Sequence, residues 1–314
     1  MTGIGLVGCG RWGRHILRDL LALECTVTVV ERSRAGRERA RGLGAHRVAS
    51  TVDQLDDVDG VVIATPVATH ATFIHQGLDL GVPVFTEKAM TDDVGAADEI
   101  VERAADRVFV MEKWRYHPAV IRLAELAAEG TLGQIAGMST VRHQWGDSHP
   151  DTDPVWTLLP HDLSIANHVL GGIPSAISAQ RVSGLVDDTS GRSEPFECSF
   201  AGLIGALGDE GAPWLHVDVS ARAPRVRREV LLFGSTATAR LSDDDYGVVE
   251  IRATGDDEVR VERVADTMPL LAELAAFVGF VAGTGPAPLA SAADGALGVR
   301  RVAQLRALAA GAST

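Results

Sequence analysis

The sequence predicts an α/β fold: an N-terminal doubly wound parallel sheet, followed by an α+β domain with an open, mostly antiparallel sheet. Two observations predict it. Up to about residue 115, short β-branched apolar runs alternate with amphipathic helical patterns. From residue 175 to about residue 262, strand-like runs follow one another with turn signals between them.

The first half contains five apolar runs of buried-strand length, separated by four segments with helical spacing. The strands are expected at 4–8, 26–31, 60–65, 83–87 and 107–111, and the helices at 11–23, 33–44, 70–81 and 92–105. Because strands and helices alternate, the strands are expected to run parallel, with helices on both faces of the sheet.

The second half begins with a helix at 117–133, a strand at 134–145 and a helix at 155–172, in whose first turn Pro160 is expected. Further strands are expected at 175–182, 195–204, 214–222, 228–234, 236–241, 247–252 and 258–264, and helices at 268–282 and 291–310. The predicted domains are 1–116, 117–285 and a C-terminal helical segment, 286–314, that packs back on the first domain.

Length and composition exclude several classes of function. The 314 residues suffice for two domains, and the net charge of −13 argues against a nucleic-acid partner. Cys9, Cys25 and Cys198 are odd in number and lack metal-ligand spacing, so neither a disulfide framework nor a metal site is expected. The sequence shows no secretion signal and no apolar run approaching 18 residues, so a cytoplasmic location without membrane association is expected.

Three glycines follow the first predicted strand in the spacing GxGxxG. Gly8 permits a tight turn, Gly10 lets the backbone approach a pyrophosphate, and Gly13 lets the helix pack on the strand. Arg11 and Trp12 lie in the same loop, and the helix N-terminus offers amide groups to phosphates. This pattern predicts a Rossmann dinucleotide-binding domain. The alternative is a glycine turn without a ligand.

The end of the second strand predicts which dinucleotide binds. Glu31 lies 18 residues after Gly13, where a carboxylate accepts hydrogen bonds from a ribose and repels a 2′-phosphate. NAD(H) is therefore favoured. Arg32 and Arg34 follow directly and suit a 2′-phosphate, so NADP(H) stays the alternative.

Lysine is rare in this chain, which has 27 arginines but only Lys88 and Lys113. Lys88 follows the predicted strand 83–87, and ligands of doubly wound sheets bind beyond the carboxyl ends of strands. An ammonium stabilises a developing alkoxide and, unlike a guanidinium, can relay a proton. Lys88 is therefore a candidate catalytic residue, the alternative being an ordinary surface lysine. Lys113 is expected either to be exposed to solvent or to contact residues that line the site without touching the ligand.

Three motifs, ATPVATH at 64–70, TEKAM at 86–90 and LLPHDLSIANHVLG at 158–171, resemble those of the Gfo/Idh/MocA oxidoreductase family, and the resemblance covers the whole chain. It implies hydride transfer between a nicotinamide and a carbinol carbon of a sugar, cyclitol or nucleotide-linked sugar. Some family members act instead on imine-type or linear-tetrapyrrole substrates, and a few are non-catalytic regulators. The second domain would bind substrate and form a homodimer or homotetramer through its sheet.

The resemblance also assigns cofactor residues. Thr65, Pro66 and His70 match the TPxxxH motif beside the nicotinamide ribose. Glu87 and Lys88 match the EKP motif. Ala89 stands where the family has proline, a departure that removes the easy cis peptide of a Lys–Pro bond.

His161, followed by Asp162, matches the family's active-site histidine, and a histidine suits acid/base chemistry near neutral pH. Thr157 replaces an aspartate four residues earlier. Because neighbouring helical residues point about 100° apart, Asp162 is not expected to take over that aspartate's role.

Further substrate contacts are expected from Trp156, which suits a sugar face, and from Tyr116, for which core packing is an equal alternative. The segment that precedes the His161 motif is rich in polar residues, and it either lines the substrate site or forms a solvated loop. Its candidate residues are His143, Asp147, His149, Asp151 and Asp153. With Ala89 and Thr157 departing from the family pattern, two functions remain besides sugar dehydrogenation: reduction of C=N bonds and non-catalytic dinucleotide sensing.

Overall fold

The computed structural model describes residues 1–146, 153–182 and 200–311. The chain divides into two compact units. The first contains Met1–His117 and Thr267–Val299, and the second contains Pro118–Asp266 and Arg300–Thr314. Residues 267–285, which the sequence assigned to the second domain, thus lie in the first unit.

The first unit is built on a six-stranded parallel sheet with strand order β3-β2-β1-β4-β5-β6, which confirms the predicted doubly wound fold. Its strands are β1 (Gly3–Val7), β2 (Thr26–Val30), β3 (Arg47–Ala49), β4 (Gly60–Ile63), β5 (Val84–Glu87) and β6 (Val108–Met111). The helices between them are α1 (Gly13–Ala22), α2 (Arg34–Gly42), α3 (His70–Asp79) and α4 (Val94–Ala104). The sequence pattern missed β3 because it has only three residues and begins at an exposed arginine.

Helix α7 (Pro269–Val281) belongs to the first unit because its aromatic face packs on the parallel sheet. Phe277 stacks on Phe85 of β5 with ring centroids 5.0 Å apart, and Phe280 meets Phe109 of β6 edge-on at the same distance. Gly60 leaves room for this helix, since a β-carbon there would lie 2.9 Å from the Phe277 ring.

The second unit is built on an eight-stranded sheet with strand order β14-β13-β12-β11-β7-β10-β9-β8. Among the strands that the structure describes in this sheet, only β7 and β10 pair in parallel, so the mostly antiparallel sheet is confirmed. The strands are β7 (Ile135–Trp145), β8 (Ala176–Val182), β9 (Gly202–Leu207), β10 (Trp214–Ser220), β11 (Arg222–Gly234), β12 (Ala237–Ser242), β13 (Val248–Ala253) and β14 (Val259–Arg263). The first half of the strand expected at 195–204, residues 195–199, lies outside the described residues, and β9 begins within its second half.

Helices α5 (Pro118–Ala128) and α6 (Pro154–Leu170) pack on this sheet, and helix α8 (Ala292–Gly311) runs from the first unit into the second. The expectation that Pro160 lies in the first turn of its helix is wrong. Asp153 caps the helix by accepting hydrogen bonds from the amides of Val155 and Trp156, so α6 begins at Pro154 and Pro160 lies in its second turn.

Two of the fingerprint glycines are required by close packing. Gly8 has a φ of 94°, and a β-carbon on it would lie 2.7 Å from the Ala64 carbonyl oxygen. A β-carbon on Gly13 would lie 2.2 Å from the Gly8 carbonyl oxygen, so α1 could not approach the turn. Gly10 differs, because a β-carbon there would meet nothing within 4 Å.

These contacts predict opposite outcomes for two matched substitutions. Gly13→Ala should lower the free energy of unfolding by at least about 2 kcal/mol, because a backbone carbonyl cannot move aside. Gly10→Ala should change it by less than about 1 kcal/mol, because its space is open. Urea unfolding of the apo-protein followed by circular dichroism measures both. Equal stabilities for the two variants would contradict the packing role of Gly13.

Candidate functional site

The glycine loop is closed by backbone and carboxylate hydrogen bonds. The Gly8 amide donates to the Val30 carbonyl oxygen at 3.0 Å, which ties the loop to the end of β2. The Cys9 amide donates to Glu31 Oε2 at 3.2 Å. Trp12 is half-buried at the start of α1, and Arg11 is exposed. The loop therefore keeps one face covered by the protein and the Gly10 side open.

Glu31 is held rigidly at the end of β2. Its Oε1 accepts hydrogen bonds from the backbone amide and the hydroxyl of Ser33, at 3.0 and 3.1 Å. Burial raises the pKa of Glu31, but hydrogen bonds from Ser33 and Cys9 outweigh it and leave the pKa below its usual value. An ionised, oriented carboxylate at this point fits a ribose that presents hydroxyl groups.

The arginines after Glu31 already have contacts. Arg32 lies over the Phe73 ring, 6.0 Å from its centroid, and Arg34 forms an ion pair with Glu38 at 2.8 Å. Arg32 also lines a cleft of about 300 Å³ at the ends of β2 and β3, together with Val30, Thr51 and Phe73. The open glycine, the ionised glutamate and this cleft together fit a dinucleotide.

His70 joins the loops that follow β4 and β5. It is buried, with 1% of its surface exposed. Its Nε2 lies 2.8 Å from the Thr65 carbonyl oxygen, and its Nδ1 lies 2.8 Å from the Ala89 carbonyl oxygen. Burial lowers the pKa of His70, while the two carbonyl groups oppose that change. The ring therefore fixes the backbone on both sides of the cofactor motifs, whereas Pro66 is exposed.

Lys88 follows β5 directly and is half-buried. Its backbone amide donates to the carboxylate of its own neighbour, Glu87 Oε2, at 3.0 Å. The peptide bond from Lys88 to Ala89 is cis, and Ala89 is buried. Ala89 thus keeps the cis geometry that a proline would favour, and Lys88 lies at the carboxyl end of the sheet as the sequence predicted.

Tyr116 has a defined contact within the first unit. Its hydroxyl oxygen accepts a hydrogen bond from the Leu289 amide at 2.9 Å. Burial raises the pKa of Tyr116 to about 12, so the phenol keeps its proton. This contact supports the core-packing alternative for Tyr116, and a substrate role stays a prediction.

In the second unit, α6 presents His161 from an otherwise buried stretch. Of residues 154–166, only His161 is partly exposed. Asp162 points to the buried side and accepts two hydrogen bonds from Arg142, both at 2.9 Å. Burial raises the pKa of Asp162, and the Arg142 guanidinium opposes that rise. Asp162 therefore holds the helix on β7, in agreement with the expectation that it does not replace the missing aspartate.

The residues before His161 are also packed. Thr157 is buried, and its hydroxyl donates to the Asp153 carbonyl oxygen at 3.4 Å. Trp156 is 7% exposed and lies under Arg306, whose guanidinium also bonds the Asp153 carboxylate. Trp156 thus forms part of the helix packing, and its predicted contact with substrate stays untested.

The structure describes only part of the polar segment that precedes α6. Asp147, His149 and Asp151 lie outside the described residues. His143 Nε2 lies 2.9 Å from Asp218 Oδ1 across the sheet. Within the described ranges, no three His, Cys, Asp or Glu side chains form a metal-binding group, and no helix is long and apolar enough to cross a membrane.

Two further charged residues of the first unit are withdrawn from solvent. Lys113 is half-buried, with its ammonium 4.8 Å from the centroid of the Trp12 ring. Glu273 on α7 is 1% exposed. The scarcity of lysine in the sequence indicated that Lys113 has a special environment. Nothing in the sequence around Glu273, 160 residues further along the chain, indicates which residues it interacts with.

Comparisons with known proteins agree with this geometry. Residues 2–111 match the model of the Gfo/Idh/MocA family, described as an oxidoreductase family with an NAD-binding Rossmann fold. Inositol 2-dehydrogenase 2 of Saccharopolyspora erythraea is 27% identical over 199 residues, which are 58% of this chain and 58% of that protein. UDP-N-acetylglucosamine 3-dehydrogenase of Acidithiobacillus ferrooxidans is 27% identical over 197 residues, 58% of this chain and 59% of that protein. The matched segments thus span about three fifths of these relatives.

Solved structures match the whole chain. Levoglucosan dehydrogenase in complex with NADH has a TM-score of 0.87 and 16% identity, covering 99% of this chain and 97% of the other. The Acidithiobacillus UDP-N-acetylglucosamine 3-dehydrogenase has a TM-score of 0.81 and 21% identity, covering 98% and 97%. At these identities the similarity establishes the fold alone. The family model and the curated relatives thus identify residues 2–111 as an NAD-binding Rossmann domain similar to those of the Gfo/Idh/MocA oxidoreductase family, and the solved structures show that the whole chain shares the fold of dehydrogenases.

Proposed function

We propose that this protein is an NAD(H)-dependent oxidoreductase that moves a hydride between the nicotinamide and a carbinol or ketone carbon of a sugar, cyclitol or nucleotide-linked sugar. The observation that carries the proposal is Lys88, a rare lysine held at the carboxyl end of β5 beside a dinucleotide-binding loop. The names of the curated relatives, which include inositol and nucleotide-sugar dehydrogenases, support this substrate class.

The chemistry divides between the cofactor and the protein. The nicotinamide, when bound, accepts or supplies the hydride. Lys88 donates a hydrogen bond to the reacting oxygen and stabilises the negative charge that develops on it. His161 takes a proton from that oxygen in oxidation and returns it in reduction. Thr157, a neutral residue at the usual position of a carboxylate, leaves this histidine with one anionic neighbour fewer than in the family.

The proposed roles predict the kinetics of Lys88 and His161 variants. Lys88→Met and His161→Asn should each lower kcat/KM by about 10²–10⁴-fold, because each removes a group that handles the proton or the developing charge. The Kd of NADH should change by less than about threefold. Substrates are screened by NADH absorbance with myo-inositol, levoglucosan and UDP-N-acetylglucosamine.

Lys88→Arg is the matched control, since a guanidinium keeps the charge but does not release a proton. It should recover charge stabilisation only in part. Near-wild-type turnover by both Lys88→Met and His161→Asn would refute the assigned roles. NADH binding without turnover of any polyol, ketosugar or imine substrate by the wild-type protein would favour a dinucleotide-sensing role.

We propose NAD(H) rather than NADP(H) as the physiological cofactor. Glu31 is ionised and fixed by three hydrogen bonds, so a 2′-phosphate placed near it would be repelled. Arg34 is paired with Glu38, and Arg32 lies over Phe73, so both cations already have other contacts.

This cofactor proposal predicts the effect of removing the Glu31 carboxylate. Glu31→Ser should weaken NADH binding by about 10–100-fold, through loss of charged hydrogen bonds to the ribose, and should reduce the preference for NADH over NADPH at least about tenfold. Fluorescence titration of both cofactors measures the change. Arg34→Ala is the control and should leave the preference within about twofold. A wild-type protein that binds NADPH more tightly would contradict the proposal.

We also propose that the protein is a homodimer or homotetramer through the sheet of the second unit. One face of this sheet carries Trp214, 41% exposed, which lies over Gly137 and meets Phe233 at 5.2 Å. Ile204, 37% exposed, lies on the neighbouring strand β9. Partly exposed apolar residues of this size favour burial against another surface.

Light scattering during size-exclusion chromatography tests this assembly. The wild-type mass should be two or four times 33.1 kDa. Trp214→Asp should shift the protein toward the monomer, because it places a charge in the apolar contact. Leu43→Arg, a substitution of an exposed leucine in the first unit, should leave the mass unchanged. A wild-type monomer at micromolar concentration would exclude the proposed assembly.

A further inference from the structure

A buried cluster of charges lies behind Lys88. Helix α7 has an apolar sequence, PLLAELAAFVGFV, whose only charged residue, Glu273, is 1% exposed. Its Oε2 has no hydrogen-bond partner within the part of the chain that the structure describes. A carboxyl group is costly to bury, and an apolar residue would suit this helix face better by packing alone. The glutamate therefore calls for a role beyond packing.

Three other charged residues act on Glu273. Burial raises the pKa of Glu273 well above its usual value, the nearby Glu87 and Glu112 raise it further, and Lys113 opposes them. Two neighbouring carboxylates and a dry environment favour the protonated form. Glu273 is thus favoured as a neutral carboxylic acid within the electrostatic range of Glu87.

Both lysines of the chain act electrostatically on Glu87. Burial raises the pKa of Glu87 above its usual value, and Lys88 and Lys113 oppose that rise, together with the Lys88 amide and the Trp12 indole. Lys113 is held by its contact with the Trp12 ring, 4.8 Å from the centroid. The Glu87 carboxylate in turn accepts the hydrogen bond of the Lys88 amide at 3.0 Å. One carboxylate thus bonds the Lys88 backbone and responds to the charges of both lysines.

We propose that Lys113 and Glu273 are positioning residues for the proposed reaction, acting on Lys88 through the Glu87 carboxylate. Lys113 supplies the second positive charge that favours the ionised form of Glu87 while Lys88 is engaged with substrate. Glu273, when protonated, adds no third negative charge near that carboxylate. The inference rests on the proposed role of Lys88, and its tests separate the cluster from that role.

The surroundings of the cluster include other titratable groups. Tyr116, beside Lys113, lies close enough for Glu273 to affect its pKa. Helix α1, which packs against α7, carries His15, Arg18 and Asp19, and Asp19 is paired with Arg18 at 2.7 Å. His117 responds to Lys113, since burial and then the Lys113 charge lower its pKa. None of these groups is among those that shift the pKa of Glu273.

The first test changes Lys113. Lys113→Met removes a charge that lowers the pKa of Glu87, so Glu87 should take up a proton at higher pH. The acid limb of the kcat/KM profile should therefore move up by roughly one pH unit. Lys113→Arg keeps the charge and should restore the wild-type limb. An unmoved limb in Lys113→Met, or an equal shift in Lys113→Arg, would overturn the proposal.

The same pair gives a readout without turnover. In the apo-protein, Lys113→Met should lose thermal stability relative to Lys113→Arg as pH rises from 5 to 8, because folding then places an ionised Glu87 beside one lysine instead of two. A difference in Tm that stays constant over this range would show that the charge of Lys113 does not act on Glu87.

The second test changes Glu273. Its raised pKa means that the folded wild-type protein holds a proton that the unfolded chain releases above its usual pKa of about 4.5, so stability is lost as pH rises toward the folded pKa. The glutamine side chain of the Glu273→Gln variant does not titrate. The Tm of Glu273→Gln minus that of the wild type should therefore grow between pH 5 and 8, by roughly 2 °C per pH unit.

The outcomes distinguish two failures. If Lys88→Met keeps full turnover while Tm differences follow pH as expected, the charge cluster exists but does not serve Lys88, and the positioning role is refuted. If Lys88→Met is inactive but the Tm difference for Glu273→Gln is independent of pH, Glu273 is not a neutral acid and the cluster is refuted, while the proposed function stands.

Discussion

The functional edge of the dinucleotide-binding unit depends on a single buried imidazole. The loops after β4 and β5 bring the carbonyl oxygens of Thr65 and Ala89 within 2.8 Å of the His70 ring, which is 1% exposed. Buried carbonyl groups must find donors. His70 is within 2.8 Å of both: a neutral ring donates to only one of these oxygens and a protonated ring donates to both, and in either form the side chain lies between the two loops that carry the cofactor motifs. The backbone next to Lys88 is thereby fixed relative to the end of β4.

This constraint explains how charge is arranged around the loop after β5. Burial lowers the pKa of His70, so its ring adds little positive charge near Lys88. Glu87, the preceding residue, accepts a hydrogen bond from the Lys88 amide. Compensation for that carboxylate then comes from the second lysine, Lys113, which the Trp12 ring holds in place.

Local pattern predicted the architecture well, because alternating strands and helices and the glycine spacing are properties of short segments. It failed where packing decides. The three-residue strand β3 has too little apolar sequence to recognise, and the placement of α7 follows from the stacking of Phe277 on Phe85. The individual site residues could be proposed by motif, but the partners of Lys113 could not. Glu273 reaches the cluster by long-range packing alone.

In the second unit, too, contacts are set by packing and not by adjacency in the sequence. Asp162 adjoins His161 in the chain, yet it binds Arg142 through two hydrogen bonds on the buried side of α6. Asp153 caps the same helix and bonds Arg306. Both carboxylates near the histidine therefore hold the helix in place. Because α6 is fixed in this way, His161 is partly exposed at a position set by the sheet. Thr157, a neutral residue, adds a hydrogen bond from its hydroxyl to the Asp153 carbonyl oxygen and so belongs to the same support of the helix.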